Sequence, residues 1–448
     1  MPIDFSIRDF CYPFSIYRLR QIFERTQWLS SSELATYQNQ RLALIIRHAC
    51  DHVPYYQHLF NELGLSPRDI QTVDDLKKLP VLSKSAVRES GTNLLADNAS
   101  RYSPHAYTTS GTTGSPLQFY LDKNALILEF VYYWRHWNWA GYRLGDRFAQ
   151  MGTRFFLERE HHMQSVTFWQ PHVRRLMLNS SQLSLSRGKE FAEALRKYRP
   201  QFLKGMASGI NFLALSIKEA GITDISFRAI FSTGEVLTPQ YRAMAESVFH
   251  CPVLDSYGNM EGTAAISQCM HGGYHINSDY GFLEFANLKP TANGDTMIGD
   301  ALGTSLYNLA MPLVRYDMGD SIELFSEPAA CPCGRTFPLV KAIHGRSNDI
   351  IVTPDGRFIT ALFTLPELVT GIDFIQFIQE SSQKLLVHVV PGKMWTDEQK
   401  EKLAFCIERL VGSKMDVSIH PVDRDEIITD VSGKIRPVIS QVDWKALA

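Results

Sequence analysis

The segment TTSGTTGSP, residues 108–116, is short and polar within a chain that is 45% hydrophobic. Its glycines, Gly111 and Gly114, allow the backbone to approach a ligand closely, and its hydroxyl groups can donate hydrogen bonds. Backbone amides that converge in such a loop are suited to binding phosphate oxygens. Composition alone also allows an exposed turn. The segment is not a Walker loop, because no lysine follows its second glycine.

The length and charge of the chain restrict its class. At 448 residues it is long enough for two or three domains. Its 45 Lys and Arg against 47 Asp and Glu give a net charge of -2, which offers no general attraction to nucleic acid or acidic lipid. Apolar runs such as LALII, residues 42–46, are too short to span a bilayer, and the amino terminus lacks the apolar block of a secretory signal. We expect a cytoplasmic protein with small-molecule partners, and the sequence leaves open whether it forms a homodimer.

Patterning on both sides of the polar segment predicts alternating helices and strands. Residues 32–53 have apolar positions at helical spacing, as do residues 186–198 and 238–249. RAIFST, residues 228–233, and CPVLDSYG, residues 251–258, instead predict short buried strands. The alternation predicts an α/β fold of layered sheets and helices for the large N-terminal part.

The last hundred residues predict a separate, small α+β unit. FIQFIQ and LLVHVV, residues 374–379 and 385–390, form a plausible hairpin, and MDVSIHPV, residues 415–422, predicts a further strand. Thr396 and Gln399 predict a capping box that opens a helix over 397–411. The polar segment HGRSND, residues 344–349, predicts the seam. We therefore expect an N-terminal domain over 1–345 and a mobile C-terminal domain over 346–448.

TTSGTTGSP closely resembles the phosphate-binding signature of adenylate-forming enzymes, which include acyl-CoA synthetases, peptide-synthetase adenylation domains and luciferases. Further matches follow in the order that this superfamily requires: STGE (232–235), DSYGNMEG (255–262), VRYDMGD (314–320), HGRSNDII (344–351) and SGKIR (432–436). Three other segments are similar to the phenylacetate-CoA ligase and CapK-type branch: HVPYYQHLF (52–60), DDLKKLPVLSKSAVRE (74–89) and CPCGR (331–335). The resemblance covers nearly the whole chain.

The resemblance implies a site for ATP and Mg²⁺, and a role for each matching residue. The phosphate loop is Ser110, Gly111, Thr112, Thr113 and Gly114. The adenine-site strands contribute Ser232, Gly234, Glu235, Asp255, Ser256, Tyr257 and Gly258, with Tyr257 stacking on adenine. The remaining roles are Asp320 and Arg346 on ribose, Glu261 on magnesium, Lys434 as the catalytic cation and Asn348 as the interdomain hinge.

The sequence departs from the family pattern at two points. Met260 stands where relatives usually carry threonine or serine, and the phosphate loop lacks the lysine that many relatives have. Each matched residue, taken alone, also has a structural interpretation: Tyr257 in the core, Asp320 in a turn, and Lys434 on the surface.

Cysteine and histidine positions predict a structural zinc ion. Cys331 and Cys333 form a close pair, and Cys269 with His275 lies about sixty residues earlier. Three sulfurs and one imidazole suit tetrahedral zinc and leave no open position for catalysis. His271 is an alternative ligand, and free structural cysteines are the alternative to a metal.

The motifs and the resemblance are compatible with three functions. The first is an ATP-dependent ligase that makes an acyl-adenylate and passes the acyl group to coenzyme A or another nucleophile. The second is an adenylyltransferase that leaves AMP on a hydroxyl, and the third is a nucleotide-binding protein without turnover. The aromatic segment EFVYYWRHWNWAGY, residues 129–142, suggests an aryl or hydrophobic acid if it lines a pocket, although such a stripe more often belongs to the core.

Overall fold

The computed structural model describes residues 13–108, 117–290, 295–344, 351–359, 362, 365–428 and 437–442. Its helices are α1 (Pro13–Thr26), α2 (Ser31–His52), α3 (Pro54–Leu63), α4 (Lys84–Ser90), α5 (Lys123–Trp139), α6 (Arg154–Leu157), α7 (Gly188–Tyr198), α8 (Ala207–Glu219), α9 (Pro239–Phe249), α10 (Leu365–Leu368) and α11 (Asp397–Val411). The helices predicted near residues 32–53, 186–198 and 238–249 are confirmed as α2, α7 and α9. No helix in the described ranges is long and apolar enough to cross a membrane.

A nine-stranded sheet forms the centre of the large N-terminal part. Its strands are β3 (Phe148–Gly152), β4 (Thr167–Gln170), β5 (Arg175–Asn179), β6 (Phe202–Gly205), β7 (Ala229–Thr233), β8 (Val253–Gly258), β9 (Ala265–Gln268), β10 (Tyr274–Ile276) and β14 (Leu339–Val340). The order is β14-β10-β9-β8-β7-β6-β3-β5-β4, and the pairs from β5 through β3, β6 and β7 to β8 are parallel. The carboxyl ends of these parallel strands therefore lie along one edge, which is where ligands bind in open α/β sheets.

Helices cover both faces of this sheet. On one face, Trp137 of α5 packs against Phe148 and Phe231, with ring centroids 4.6 Å and 6.3 Å away. On the other face, Leu203 and Ile230 belong to a second core with residues of α7, α8 and α9. Alternation of side chains along each strand thus supplies two apolar layers. The predicted α/β class is confirmed.

Two smaller sheets complete the large N-terminal part. The hairpin β1 (His105–Thr108) and β2 (Gln118–Leu121) flanks the phosphate-loop segment. A four-stranded antiparallel sheet has the order β11-β12-β13-β15, with strands β11 (Gly281–Pro290), β12 (Thr296–Ser305), β13 (Tyr316–Phe325) and β15 (Ala342–His344). An isolated bridge from Leu82 to Tyr316 ties this sheet to the N-terminal helical region.

The C-terminal residues build a sheet and a hydrophobic core of their own. The elements are β16 (Ile351–Val352), β17 (Phe358–Ile359), β18 (Ile372–Ser381), β19 (Lys384–Pro391), β20 (Asp416–Pro421) and β21 (Val438–Ser440), with α11 against the β20-β19-β18-β21 sheet. The predicted hairpin, helix and strand are confirmed. The domain boundary at 345/346 lies outside the described residues and stays a prediction.

The predicted capping box at the start of α11 is only half formed. Thr396 caps α11, since its side chain accepts a hydrogen bond from the Gln399 backbone amide. The reciprocal bond of a capping box is not made, because Gln399 Oε1 is buried without a partner among the described residues. Gly412 ends the helix with φ of +88°, and a Cβ there would lie 2.9 Å from Arg357 Nη2.

Candidate active site

Two segments that the sequence identifies separately meet at the carboxyl end of β8. Tyr257, near the end of β8, donates a hydrogen bond of 2.9 Å from its hydroxyl to Asp320 Oδ2 on β13. Both side chains are only half-buried, so that the tyrosine ring and the carboxylate remain accessible from the strand edge. The predicted adenine and ribose residues are therefore neighbours.

Glu261 lies in the turn between β8 and β9, four residues after Tyr257. Its carboxylate is 5% exposed, and Oε1 accepts a hydrogen bond of 2.7 Å from the hydroxyl of Tyr316, the first residue of β13. The next residue, Gly262, has φ of +69°, and a Cβ there would lie 3.4 Å from Tyr280 Oη and 3.7 Å from Leu121 at the end of β2. The left-handed backbone and these contacts explain the need for glycine. The hairpin that carries the phosphate-loop segment therefore ends beside Glu261.

Asp255 is a buried carboxyl of the predicted adenine site. It accepts hydrogen bonds from the Ser256 amide at 3.0 Å and from the Tyr274 hydroxyl at 3.3 Å. Burial raises the pKa of the Asp255 carboxyl to about 6, while the positive charge of Arg242 acts in the opposite direction. A buried carboxyl with such a pKa is a common feature of binding sites and also of internal polar networks.

Other predicted adenine-site residues differ in their surroundings. Ser232 and Ser256 are buried, and the Ser256 hydroxyl donates to the Ser232 carbonyl across β7 and β8. Glu235 accepts hydrogen bonds from the amide and hydroxyl of Ser208, at 2.9 Å and 2.6 Å, near the start of α8. Gly234 and Gly258 are exposed at the strand ends. Glu235 thus holds the first turn of a neighbouring helix, whereas the glycines are open to a ligand.

Several predicted site residues lie outside the described ranges. They are Ser110, Gly111, Thr112, Thr113 and Gly114 of the phosphate loop, Arg346, the hinge residue Asn348 and the catalytic Lys434. Met260, which replaces the hydroxyl residue of most relatives, is partly buried and packs against the largest hydrophobic core.

A set of metal-binding side chains lies where β10 pairs with β9 and β14. One ligand atom from each lies within 4.8 Å of the others: Cys269, His275, Cys331 and Cys333. Cys269 Sγ is 3.5 Å from Cys331 Sγ, and Cys333 Sγ is 3.3 Å from His275 Nε2. Sulfurs around a tetrahedral zinc ion, with bonds of about 2.3 Å, lie about 3.8 Å apart. The donors fit such an ion, and the alternative ligand His271 is not in the group.

The residues around this cluster connect it to the N-terminal helices. His275 Nδ1 lies 3.4 Å from the Phe337 carbonyl oxygen, which leaves Nε2 for the cluster. Arg335 lies over the rings of Trp28 and Trp139, at 5.0 Å and 4.1 Å from their centroids. Its Nε donates to Gln27, as does the Trp139 indole. The CPCGR loop therefore packs the α1–α2 connection against α5.

The sequence of this chain is similar to those of several known proteins. Residues 351–441 match the CapK C-terminal domain family. The chain is 25% identical over 370 residues to protein CapK of Staphylococcus aureus, covering 80% of this chain and 79% of that protein. It is 24% identical over 352 residues to a phenylacetate-coenzyme A ligase of Pseudomonas putida, covering 74% and 75%. The chain is therefore similar to CapK and to phenylacetate-coenzyme A ligases over about three quarters of its length or more, and its C-terminal part matches the CapK C-terminal domain.

The fold also resembles that of a solved acyl-CoA ligase. A crystal structure of a 2-hydroxyisobutyryl-CoA ligase, in complex with 2-HIB-AMP and CoA, superposes with a TM-score of 0.59 and 20% identity over 95% of this chain and 93% of that chain. That likeness shows that this chain shares the fold of the 2-hydroxyisobutyryl-CoA ligase, with a large part and a smaller C-terminal part.

Two features near this strand edge have no signature in the motifs of the sequence. Tyr316 lies within the matched segment VRYDMGD, yet its contact with Glu261 depends on how β13 approaches the β8–β9 turn. Lys204 lies at the carboxyl end of β6, within the otherwise apolar strand FLKG. A lysine inside a buried strand is the signal that could have identified it.

Proposed function

We propose that this chain is an ATP-dependent ligase that activates a carboxylic acid as an acyl-adenylate and transfers the acyl group to coenzyme A. A carboxylate oxygen attacks the α-phosphorus of ATP, forming a P–O bond as the bond to pyrophosphate breaks. The coenzyme A thiol then loses its proton and attacks the acyl carbon, and AMP leaves. The hydrogen bond between Tyr257 and Asp320 carries the proposal, since it joins the adenine and ribose segments at one strand edge.

The described residues support distinct roles in this reaction. Asp320 is half-buried at the strand edge, and a carboxylate accepts hydrogen bonds from hydroxyl groups such as those of ribose. The phenol hydrogen bond fixes the tyrosine ring in an orientation in which its face can stack on adenine. Gly258 and Gly234 leave the backbone open for close approach of the nucleotide.

Glu261 is proposed to hold Mg²⁺. Tyr316 occupies its Oε1, and no hydrogen bond from a described residue reaches Oε2, so that one oxygen of a buried carboxylate is left for a hard cation. When bound, the ion would neutralise charge on the phosphate oxygens. Tyr316 positions the carboxylate for this role.

The remaining roles rest on the family resemblance alone. The loop over Ser110 to Gly114 would bind phosphate oxygens, Arg346 would bind ribose, and Lys434 would bring positive charge to the α-phosphate. Asn348 would serve as the pivot about which the small domain rotates between the two steps. The cytoplasm, where ATP and coenzyme A are available, is the proposed compartment, and a homodimer stays open.

We also propose a structural zinc ion at Cys269, His275, Cys331 and Cys333. The support is the convergence of these donors at tetrahedral spacing. Zinc and the protein should be present in equal amounts when the purified protein is analysed by inductively coupled plasma mass spectrometry. If the purified protein contains no zinc and all four ligand cysteine and histidine positions are unmodified, with the three cysteines titrating as free thiols, the cysteines are unligated.

The decisive experiment for the catalytic proposal is acid-dependent exchange of labelled pyrophosphate into ATP over a panel of carboxylic acids. Mass analysis after addition of coenzyme A should then detect the acyl thioester. AMP transfer to an alcohol, without acid-dependent exchange, would favour an adenylyltransferase. Tight ATP binding with neither reaction would favour a nucleotide-binding protein without turnover.

A further inference from the structure

A group of polar side chains lies beneath α5, on the face of the large sheet that is otherwise aromatic. Lys204 of β6 pairs directly with Gln150 of β3 and with Phe231 of β7, so that these three side chains project from the same face. Lys204 and Gln150 are each only 5% exposed. We call Gln150, Lys204, Tyr133, Thr233 and Glu129 the sub-α5 polar cluster.

Lys204 is buried among aromatic rings and makes no hydrogen bond to a residue that the structure describes. Its Nζ lies 3.7 Å from the ring centroid of Tyr133 and 5.7 Å from that of Trp137. Neither this ammonium nor the Gln150 side-chain amide makes a hydrogen bond to any described residue. An ammonium carries three donors, and leaving them unsatisfied in a protein interior is costly. Burial lowers the pKa of Lys204 to about 7, although Glu129 acts in the opposite direction.

Glu129 gives the cluster an opposite charge. It lies one helical turn before Tyr133 on α5, and positions four residues apart share a helix face. No ion pair or hydrogen bond joins Glu129 to Lys204 or to another described side chain, although the two charges influence each other. The cluster therefore combines a cation and an acid that are near each other but not in contact.

The cluster adjoins the proposed reaction centre. The Tyr133 hydroxyl lies 3.2 Å from Thr233 Oγ1, at the end of β7 and next to the exposed Gly234. Tyr132, beside Tyr133 on α5, packs on Tyr280 with ring centroids 5.4 Å apart. The Tyr280 hydroxyl in turn lies next to Gly262, the residue after Glu261. Neighbouring residues therefore lead from Lys204 through Tyr133, Tyr132 and Tyr280 to Gly262, which follows the glutamate proposed to hold Mg²⁺.

Open space lies beside the cluster. Gly152 ends β3 two residues after Gln150 and so faces the same side of the sheet, and a Cβ there would meet no described atom within 4 Å. An acid bound with its carboxylate near Glu261 would extend along this face toward Lys204.

We infer that the sub-α5 polar cluster is the specificity pocket of the ligase and selects a carboxylic acid that carries a hydroxyl group at the end away from the reacting carboxylate. A hydroxyl accepts a hydrogen bond from Lys204 and donates one to Glu129, which satisfies both side chains without adding charge. A hydrocarbon or plain aryl acid would leave both groups desolvated and unpaired. The inference rests on the proposed function, and differs from the aryl or hydrophobic acid that the aromatic segment suggests from sequence.

The test compares acids that differ only by the hydroxyl: 6-hydroxyhexanoate with hexanoate, and 4-hydroxyphenylacetate with phenylacetate. In acid-dependent pyrophosphate exchange, we expect kcat/KM for the hydroxylated member of at least one pair to be higher by about tenfold or more. Lys204→Met, which keeps the length and apolar stem but removes the donors, should reduce that ratio to near one. Glu129→Gln retains the side-chain shape and should reduce it in the same direction.

Lys197→Met is the matched control, because Lys197 also lies over a tyrosine, with Nζ 5.2 Å from the Tyr198 ring centroid, but is exposed on α7. This variant should keep the wild-type ratio. Preference for the unsubstituted acid in both pairs, or an unchanged ratio in folded Lys204→Met protein, would overturn the inference while leaving the ligase proposal intact.

A binding measurement separates the inference from the failure of catalysis. If no acid supports exchange, the proposed function fails, and thermal unfolding with each acid in the presence of ATP then tests the pocket alone. A rise in Tm with a hydroxylated acid that is lost in Lys204→Met supports the pocket. Equal shifts in the wild type and Lys204→Met, or no shift in either, would refute it.

Discussion

Glu261 and Tyr316 form a buried pair in which one residue positions the other. Tyr316 donates to Glu261 Oε1. Because Glu261 is proposed to hold Mg²⁺, we expect Glu261→Gln to reduce acid-dependent pyrophosphate exchange by about 10²-fold or more, as for loss of a group that stabilises transition-state charge. Tyr316→Phe removes the hydroxyl that donates to Glu261, a hydrogen bond worth about 1 kcal/mol or somewhat more for a charged acceptor, and should reduce exchange by about tenfold. The measurement is exchange at saturating ATP and varied Mg²⁺.

A shift in the Mg²⁺ concentration required for half-maximal exchange distinguishes positioning from a general structural effect. Tyr316→Phe should raise that concentration while circular dichroism and Tm change little. A lower rate at all Mg²⁺ concentrations with no change in the half-maximal concentration would contradict the role of Glu261 as the magnesium residue.

Asp255 offers a prediction about stability and pH. Its carboxyl ordinarily has a pKa of 3.8, and burial raises the pKa to about 6, so that the folded state holds this proton more tightly than the unfolded state. The wild type therefore loses stability through this group as pH rises from about 4 to about 6, relative to a neutral side chain. Asp255→Asn should be more stable than the wild type at pH 7, with a smaller difference at pH 4.5.

Urea unfolding at the two pH values tests this prediction, with ATP affinity measured in parallel. If Asp255 contacts the nucleotide as the family resemblance implies, the more stable variant should bind ATP more weakly. A variant that is less stable than the wild type at pH 7 would show that the hydrogen bonds from Ser256 and Tyr274 outweigh the desolvation of the charge.

Residues in contiguous motifs could be predicted from sequence, whereas residues that act through the fold could not. Tyr257, Glu261 and Asp320 lie in short segments with a recognisable order, and the structure brings them together. Lys204 has no motif, because its environment arises from β3, β6 and α5, which are distant in sequence. Its carboxyl-terminal position in the strand matters only once the parallel order of the sheet is known.

At the scale of elements, the cysteine and histidine cluster joins the β9–β10 hairpin to the CPCGR loop. That loop carries Arg335, which packs between Trp28 and Trp139. Removal of a bound zinc ion should therefore loosen α1 and α5 as well as the cluster itself. We expect Cys331→Ser to lower Tm by about 5 °C or more, as measured by differential scanning calorimetry.

Cys406→Ser is the matched control, because Cys406 is a partly buried cysteine on α11, far from the cluster in sequence and in a different hydrophobic core. It should change Tm by much less and leave the zinc content unchanged. An equal fall in Tm for the two variants would mean that the cluster contributes no more than ordinary packing.

Periodicity and caps in the sequence predict where helices begin more reliably than they predict which strands pair. The start of α2 at Ser31, with Ser30 as its cap, and the start of α9 at Pro239 follow from local residues. The unmade half of the Thr396 capping box could not be foreseen, since it depends on the conformation of the Gln399 side chain. The long antiparallel strands β11 to β13 likewise acquire their register only by packing against one another.

At the scale of the whole molecule, Arg357 links the C-terminal unit to the large N-terminal part. Its guanidinium is 6% exposed and donates to the Ser181 carbonyl at 2.6 Å, in the segment after β5. It also donates to the carbonyls of Leu410 and Val411 at the end of α11, at 2.8 Å and 3.0 Å. If the small domain rotates between adenylation and thioester formation, the bond to Ser181 must break while those to α11 persist.

Arg357→Gln therefore tests whether the two half-reactions use different arrangements. The shorter neutral side chain cannot maintain a charge-assisted bond to Ser181, a loss of about 1.5–3 kcal/mol in the arrangement that contains it. We expect the ratio of pyrophosphate exchange to single-turnover thioester formation from preformed acyl-adenylate to change by about tenfold or more. Asp355→Asn is the control, since Asp355 pairs with Arg357 Nε at 2.8 Å but makes no contact with Ser181, and it should leave the ratio near the wild-type value. Equal changes in both half-reactions of Arg357→Gln would mean that the Ser181 contact persists throughout the cycle, because a contact present in both arrangements cannot favour either one.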